Sequence, residues 1–221
     1  MKLKSFGCSF TYGSDLHDCA TGPYENSEST WPALLAKSID AEYSCYAHPG
    51  IGNLQIYQTI LDQVRMTDSD FFVVNWTWLD RFDFINPLQK HWNTLRPDGD
   101  TQEHQLYYRY FYNQYHTLLT NGSYISSAIG ILKQHNIKFV MTLMDETLFE
   151  DIDSNWQLPR PIKILQDQIN PYITKFDNKT FLEFSKEKGF PISKNLHPLE
   201  SAHQAAFELI APNFDTILHK V

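Results

Sequence analysis

Two stretches near opposite ends of the chain hold residue types that could do covalent chemistry together. The first is Gly7-Cys8-Ser9-Phe10-Thr11-Tyr12-Gly13, which follows Lys2–Phe6, a segment that reads as a short first strand. A small turn at a strand's end exposes its side chains at the sheet edge, where a Ser hydroxyl can reach substrate. Glycines on both sides let the backbone approach closely, so the Ser9 N–H can face a developing oxyanion. A serine needs a base to become a nucleophile. The second stretch, His197-Pro198-Leu199-Glu200-Ser201-Ala202-His203, supplies one. His197 stands before a helical pattern, and the following Pro fixes its backbone while leaving the imidazole free to act as a general base. His203, inside that helix, reads as a residue that packs or bonds locally. The bland alternatives are a plain Gly/Ser turn and a structural histidine. Cys8 is a minor alternative nucleophile, since a Cys at a strand end is commonly a small buried residue.

The elements that must bring these ends together alternate between strand and helix. Segments at Lys2–Phe6, 43–47, 71–75 and 137–143 have strand length. Helical spacing marks 31–36, with Thr30 as N-cap and Pro32 in the first turn, then Asn53–Val64, 108–134 and Glu200–Ile210, with a short helix after Pro212. Strands separated by helices imply βαβ units, a parallel sheet and two covered faces. Two long stretches, 77–105 and 145–177, each follow a strand and so belong at the carboxyl edge, where such folds bind ligands. No repeat or linker interrupts the 221 residues, which read as one domain carrying those two insertions.

Composition narrows the function. Eighteen Lys and Arg face 26 Asp and Glu, a net charge of -8 with no basic cluster, which argues against a nucleic-acid partner. Three cysteines without C-x-x-C pairing, no signal-like apolar segment and no run long enough to span a bilayer lead to the expectation of a cytoplasmic chain with free thiols. The spacing of His17, Cys19 and Cys8 matches no standard zinc pattern, so neither a metal nor another cofactor is expected. Aromatic residues, 14% of the chain, crowd its middle third. Trp76, Trp78 and Phe82 could wall a pocket for an acyl chain or a sugar ring, or could form a homodimer contact.

These pieces, in this order, resemble the SGNH (GDSL-type) hydrolases. Gly7-Cys8-Ser9-Phe10-Thr11-Tyr12-Gly13 is similar to their first block, G-D-S-x-T/S-x-G, and His197-Pro198 to their last, D-x-x-H-P. Trp31-Pro32-x-x-Leu35-Ala36 falls where members often carry a W-P-x-x-L-A helix, and Ala47-His48-Pro49-Gly50-Ile51-Gly52-Asn53 resembles the second block. The resemblance implies a flavodoxin-like three-layer α/β/α sandwich with a mainly parallel sheet. It also implies Ser9 as nucleophile and oxyanion donor, Gly50 as second donor, His197 as base, and an ester or acylated sugar as substrate.

Three departures keep the site open. Cys8 stands where the family has Asp. The third block, normally G-x-N-D, reads Val74-Asn75-Trp76-Thr77-Trp78-Leu79-Asp80-Arg81, so the remaining oxyanion donor falls to Asn75 or Thr77. Thr77, Trp78 and Arg81 are the substrate-binding candidates of that segment. Lys194 replaces the acid of the last block, leaving a backbone carbonyl near Lys194, the Asn195 side chain, or Asp145 with Glu146 to orient His197. Two functions follow: a serine esterase using a Ser–His dyad or an atypical triad, acting on acetylated carbohydrate or on a small or lipid ester, and a non-catalytic binding or assembly module that keeps the fold alone.

Overall fold

The computed structural model describes residues 1–19, 25–64, 71–88, 90–150 and 160–214. Its centre is a parallel sheet. Strand β1 (Lys2–Phe6) lies between β2 (Glu42–Cys45) and β3 (Phe71–Trp76), and β3 pairs in turn with β6 (Lys138–Leu143), giving the order β2-β1-β3-β6. Leu3 is paired with Tyr43 on one side and Phe71 on the other, and Val74 is paired with Met141. A parallel sheet covered on both faces needs apolar side chains at successive positions. β3 meets that demand, being buried along its whole length. Beyond β6 a single parallel bridge, Met141 to Ile173, with Thr174 N donating to Met141 O at 2.7 Å, extends the order by one place. This is the flavodoxin-like arrangement.

Right-handed crossovers decide which helix covers which face. The step from β1 to β2 carries α2 (Trp31–Ser38). The direction of travel then reverses, so α3 (Asn53–Val64) and α5 (Gln114–Gln134) go to the other face, where α6 (Arg160–Ile169) joins them. α8 (Glu200–Ile210) packs on α2. Thr30 is the N-cap residue of α2, but its side chain makes no capping hydrogen bond. His203 of α8 does that work: its Nδ1 accepts from Trp31 N at 3.2 Å. Burial drives the His203 pKa down to about 3, so the ring stays a neutral acceptor.

The two insertions differ from a plain loop. Residues 77–105 contain an antiparallel hairpin, β4 (Phe82–Ile85) with β5 (Trp92–Leu95), and lead into α4 (Gln102–Tyr110). The pattern over 108–134 predicts one helix, yet the chain breaks after Tyr110 and restarts at α5. Asn113 causes the restart, its side chain accepting from His116 N at 3.1 Å as an N-cap. In the second insertion α6 follows residues 151–159, which lie outside those described. α7 (Phe181–Glu187) then opens on a capping box made by Thr180 and Glu183, a pattern present in the sequence and not used to predict a helix. A one-turn 3-10 helix, Ala211–Asn213, holds Pro212.

One carboxyl group fastens the hairpin to the body. Asp83 is buried on β4 and its oxygens accept from Gly52 N at 2.9 Å, Gln55 N at 3.0 Å, Gln55 Nε2 at 2.8 Å and Thr94 Oγ1 at 2.6 Å. It thus caps the first turn of α3 from outside, where the unpaired N–H groups and the helix dipole favour a carboxyl oxygen. Gly52 is required there: a Cβ would sit 2.6 Å from Asp83 Oδ2. Next to it Asn53 joins the same helix to the end of β3, its Oδ1 accepting from Thr77 N at 2.8 Å and its Nδ2 donating to Thr77 O at 3.1 Å.

Candidate active site

The corner after β1 is tight. Cys8 is the N-cap residue of α1 (Ser9–Tyr12), so Ser9 begins a single helical turn, and Gly13 ends it in the left-handed conformation (φ 82°) with its N–H donating to Ser9 O at 2.9 Å. A side chain at Gly13 would collide with Ser27 and Thr30 as well as strain the backbone. Cys8 is fully buried and its thiol points at Met144 Sδ, 3.0 Å away. It faces the core and has no access to substrate. Ser9 Oγ rests 3.8 Å from the Cys8 sulfur. Past Gly13 the chain turns through Asp15, itself left-handed at φ 70°, a conformation Asp tolerates better than most residues.

The corner at the other end is a closed loop. Ser193 N donates to His197 O at 2.9 Å, and Ser193 Oγ accepts from His197 N and Asn195 N, each at 3.2 Å. Leu196, just before the histidine, is left-handed at φ 64°, which costs a branched residue conformational energy. His197 therefore has little freedom in its backbone, and its ring meets Phe10 edge-on at 5.7 Å between centroids.

Asp15 joins the two corners. Its Oδ2 lies 2.7 Å from His197 Nδ1 and accepts from Ser193 Oγ at 2.6 Å and Asn195 Nδ2 at 3.0 Å. The hydrogen bond from Ser193 is the main reason the Asp15 pKa is lowered, with those from His197 and Asn195 adding to it against the cost of burial. A carboxylate on Nδ1 leaves Nε2 as the nitrogen that can take a proton.

Ser9 and His197 line one cavity of about 550 Å³, with Gly50, Trp78, Arg81, Arg96, Asp98 and Lys194 among its other walls. Gly50 is left-handed at φ 82°, with open space where a Cβ would be. Arg81 Nη1 donates to Ile51 O at 2.8 Å, next to Gly50. Other expectations from the sequence are corrected. Neither Asn195 nor Asp145 holds the imidazole: the Asn195 amide donates to Asp15, and Asp145 Oδ1 accepts from Thr147 N at 2.9 Å after β6. Asp145 is half-buried, and the loss of solvation raises its pKa to about 6. Glu146 is paired with Lys175 at 2.9 Å. Asn75 is buried in β3, its Oδ1 accepting from Thr142 Oγ1 at 3.1 Å, and buried Thr77 directs its hydroxyl to Met144 Sδ at 3.4 Å. Trp76 is core, and Phe82 stacks on Tyr107 at 4.4 Å between centroids. Of the aromatic group named from the sequence, Trp78 walls this cavity.

No protein-family model and no curated protein matches this chain. Solved structures do, among them a member of the lipolytic G-D-S-L family from Veillonella parvula (TM-score 0.54, 13% identity, 97% of this chain and 98% of that one). The psychrotrophic esterase EstA from Pseudoalteromonas sp., in a structure inhibited by monoethylphosphonate, matches with TM-score 0.52 at 10% identity over 99% of this chain and 98% of its own. A catalytic mutant of an acetylxylan esterase from Geobacillus stearothermophilus matches with TM-score 0.50 at 12% identity, over 98% and 93%. The class this defines is a fold: the chain has the α/β architecture of the SGNH (GDSL-type) hydrolases, and its structural neighbours are lipolytic proteins and carbohydrate esterases.

Proposed function

We propose that this protein is a serine ester hydrolase with a Ser9–His197–Asp15 triad whose acid comes from the first corner of the fold. The observation that carries the reading is the 2.7 Å contact between Asp15 Oδ2 and His197 Nδ1 in a cavity that Ser9 also lines. Ser9 Oγ attacks the ester carbonyl as His197 Nε2 takes its proton. The Ser9 N–H, at the start of α1, and the Gly50 N–H stabilise the oxyanion. The intermediate collapses, the C–O bond to the alcohol breaks, and His197 returns the proton to the leaving oxygen. Water, deprotonated by His197, then cleaves the acyl-enzyme to acid and free Ser9. Asp15 stays ionised throughout and holds the ring's orientation. A small ester or acylated sugar is the substrate class, with Trp78 offering a flat face to a sugar ring. A fluorophosphonate probe should label the protein, and Ser9→Ala should abolish both labelling and hydrolysis of p-nitrophenyl acetate. Undiminished turnover in Ser9→Ala would refute the assignment.

One observation favours a second reading, a binding module without turnover: Ser9 Oγ makes its close approach to the Cys8 sulfur. That reading predicts no probe labelling, with ligand binding that survives Ser9→Ala and fails in Trp78→Ala.

A further inference from the structure

The charge of the cavity runs against that of the chain. The whole sequence carries -8, yet the charged side chains lining the Ser9–His197 cavity, besides His197 itself, are Arg81, Arg96 and Lys194 against Asp98. Lys194 stands where the resemblance places an acid, and with Asp15 on the imidazole that position is free to present a cation. Two of the three cations are arginines, whose planar forks of N–H donors match a carboxylate or phosphate. Arg81 is fixed by its bond to Ile51 O, so its guanidinium stands beside the Gly50 turn at low entropic cost to a ligand. Arg96 is engaged by Asp98 through Nε at 3.5 Å, with both side chains well exposed. Such a surface pair is worth about 0–1 kcal/mol, so an incoming anion can displace it. Asp80 lines an adjoining cavity of about 230 Å³ that shares Trp78, Arg81, Arg96 and Asp98 with the first.

We propose that the ester taken at this site bears an anionic group, a carboxylate or a phosphate, gripped by Arg81 and Arg96 while its carbonyl sits at Ser9. This inference deepens the hydrolase reading and rests on it for the word ester. The anion binds without bond-making, and hydrolysis proceeds as described above.

The test compares para-acetoxybenzoate with its neutral analogue para-acetoxybenzamide, and with para-acetoxyphenyl phosphate, on the full chain. These carry the same acetyl group, so differences report the far end of the molecule. Hydrogen bonds to charged groups predict a preference for the anionic esters of about tenfold or more in kcat/KM. That ratio should fall toward one in Arg96→Gln and in Arg81→Gln, and narrow as salt is raised. The ratio of carboxylate to phosphate probe separates the two sources of the anion. A ratio near one in the wild type, with hydrolysis that still needs Ser9, overturns the anionic substrate and leaves the hydrolase standing. If no ester turns over, benzoate and inorganic phosphate are titrated calorimetrically into the folded chain. Saturable binding lost in the Arg81→Gln/Arg96→Gln double variant sustains the anion site, and no binding overturns it.

Discussion

The corner that joins Ser9, Asp15 and His197 and the hairpin that bears Trp78, Arg81, Arg96 and Asp98 at its flanks border the same cavity by different means. The corner is assembled from short, stiff pieces: a single helical turn closed by Gly13, and a loop closed on itself by Ser193. Asp15 ties it across distant parts of the chain, and so does His17, whose N–H donates to Glu200 Oε1 at 2.8 Å. The hairpin has its own pairing and is held to the start of α3 by a buried carboxyl group, Asp83, with Gln55 Nε2 also donating to Thr94 Oγ1 and Tyr108 OH to Leu95 O. On the proposed reading, chemistry is placed on short, closed turns of backbone, and substrate contacts on a hairpin outside the central sheet.

Removing a reacting group from the corner should have the largest effect. Ser9→Ala or His197→Ala is expected to lower kcat for p-nitrophenyl acetate by about 10⁴-fold or more while thermal unfolding moves little, measured by steady-state kinetics and circular dichroism. The hairpin should show the reverse order. Asp83→Ala leaves buried N–H groups at α3 without a partner, and is expected to cost about 3 kcal/mol in urea unfolding. Should that substitution abolish activity with stability intact, the division between the two regions would be wrong.

The support beneath the corner should show itself in acid. His203 has a lowered pKa in the fold, so the native state binds fewer protons than the unfolded chain. Its contribution is complete above about pH 6.5 and is lost as pH falls toward 3, by about 5 kcal/mol at the limit. His203→Gln, which keeps an acceptor for Trp31 N, should flatten that limb of the stability curve. Asp145 works with the opposite sign. Its raised pKa means the native state holds the proton longer, so stability falls as pH rises from about 4 to 6. Asp145→Asn keeps an oxygen for Thr147 N and should stabilise the fold at pH 8 by at most about 3 kcal/mol, with kcat unchanged. Asn195→Ala removes one donor from Asp15 and should cost a few-fold in kcat, read in the same assay.

The sheet was legible chiefly through β3, where Phe71–Val74 is a continuous apolar run, and both strand β1, Lys2–Phe6, and helix α3, Asn53–Val64, have the bounds that the pattern gives. The hairpin was not, since β4 and β5 are short and half exposed, and their anchor is a contact from Asp83 to Gly52 and Gln55. The break between α4 and α5 was hidden inside a helical period, although Asn113 marked it. Ser9 and His197, the proposed nucleophile and base, could be singled out by residue type and by the turn and helix start beside them. Asp15 could not: it lies 182 positions from His197, and its signal, an Asp just beyond the closing glycine of the first corner, is also what any turn would show. The vacant acid position at Lys194 suggested a neighbour in sequence, whereas the fold brings the carboxylate from the other terminus.

The most direct measurement of the central claim is the rate of fluorophosphonate inactivation of Asp15→Asn relative to the wild type. Asn tolerates the same left-handed backbone and keeps an oxygen near His197, so the fold should persist while the imidazole loses its anionic partner. The account predicts a rate lower by about 10² to 10⁴-fold. An unchanged rate in a folded Asp15→Asn protein would contradict it.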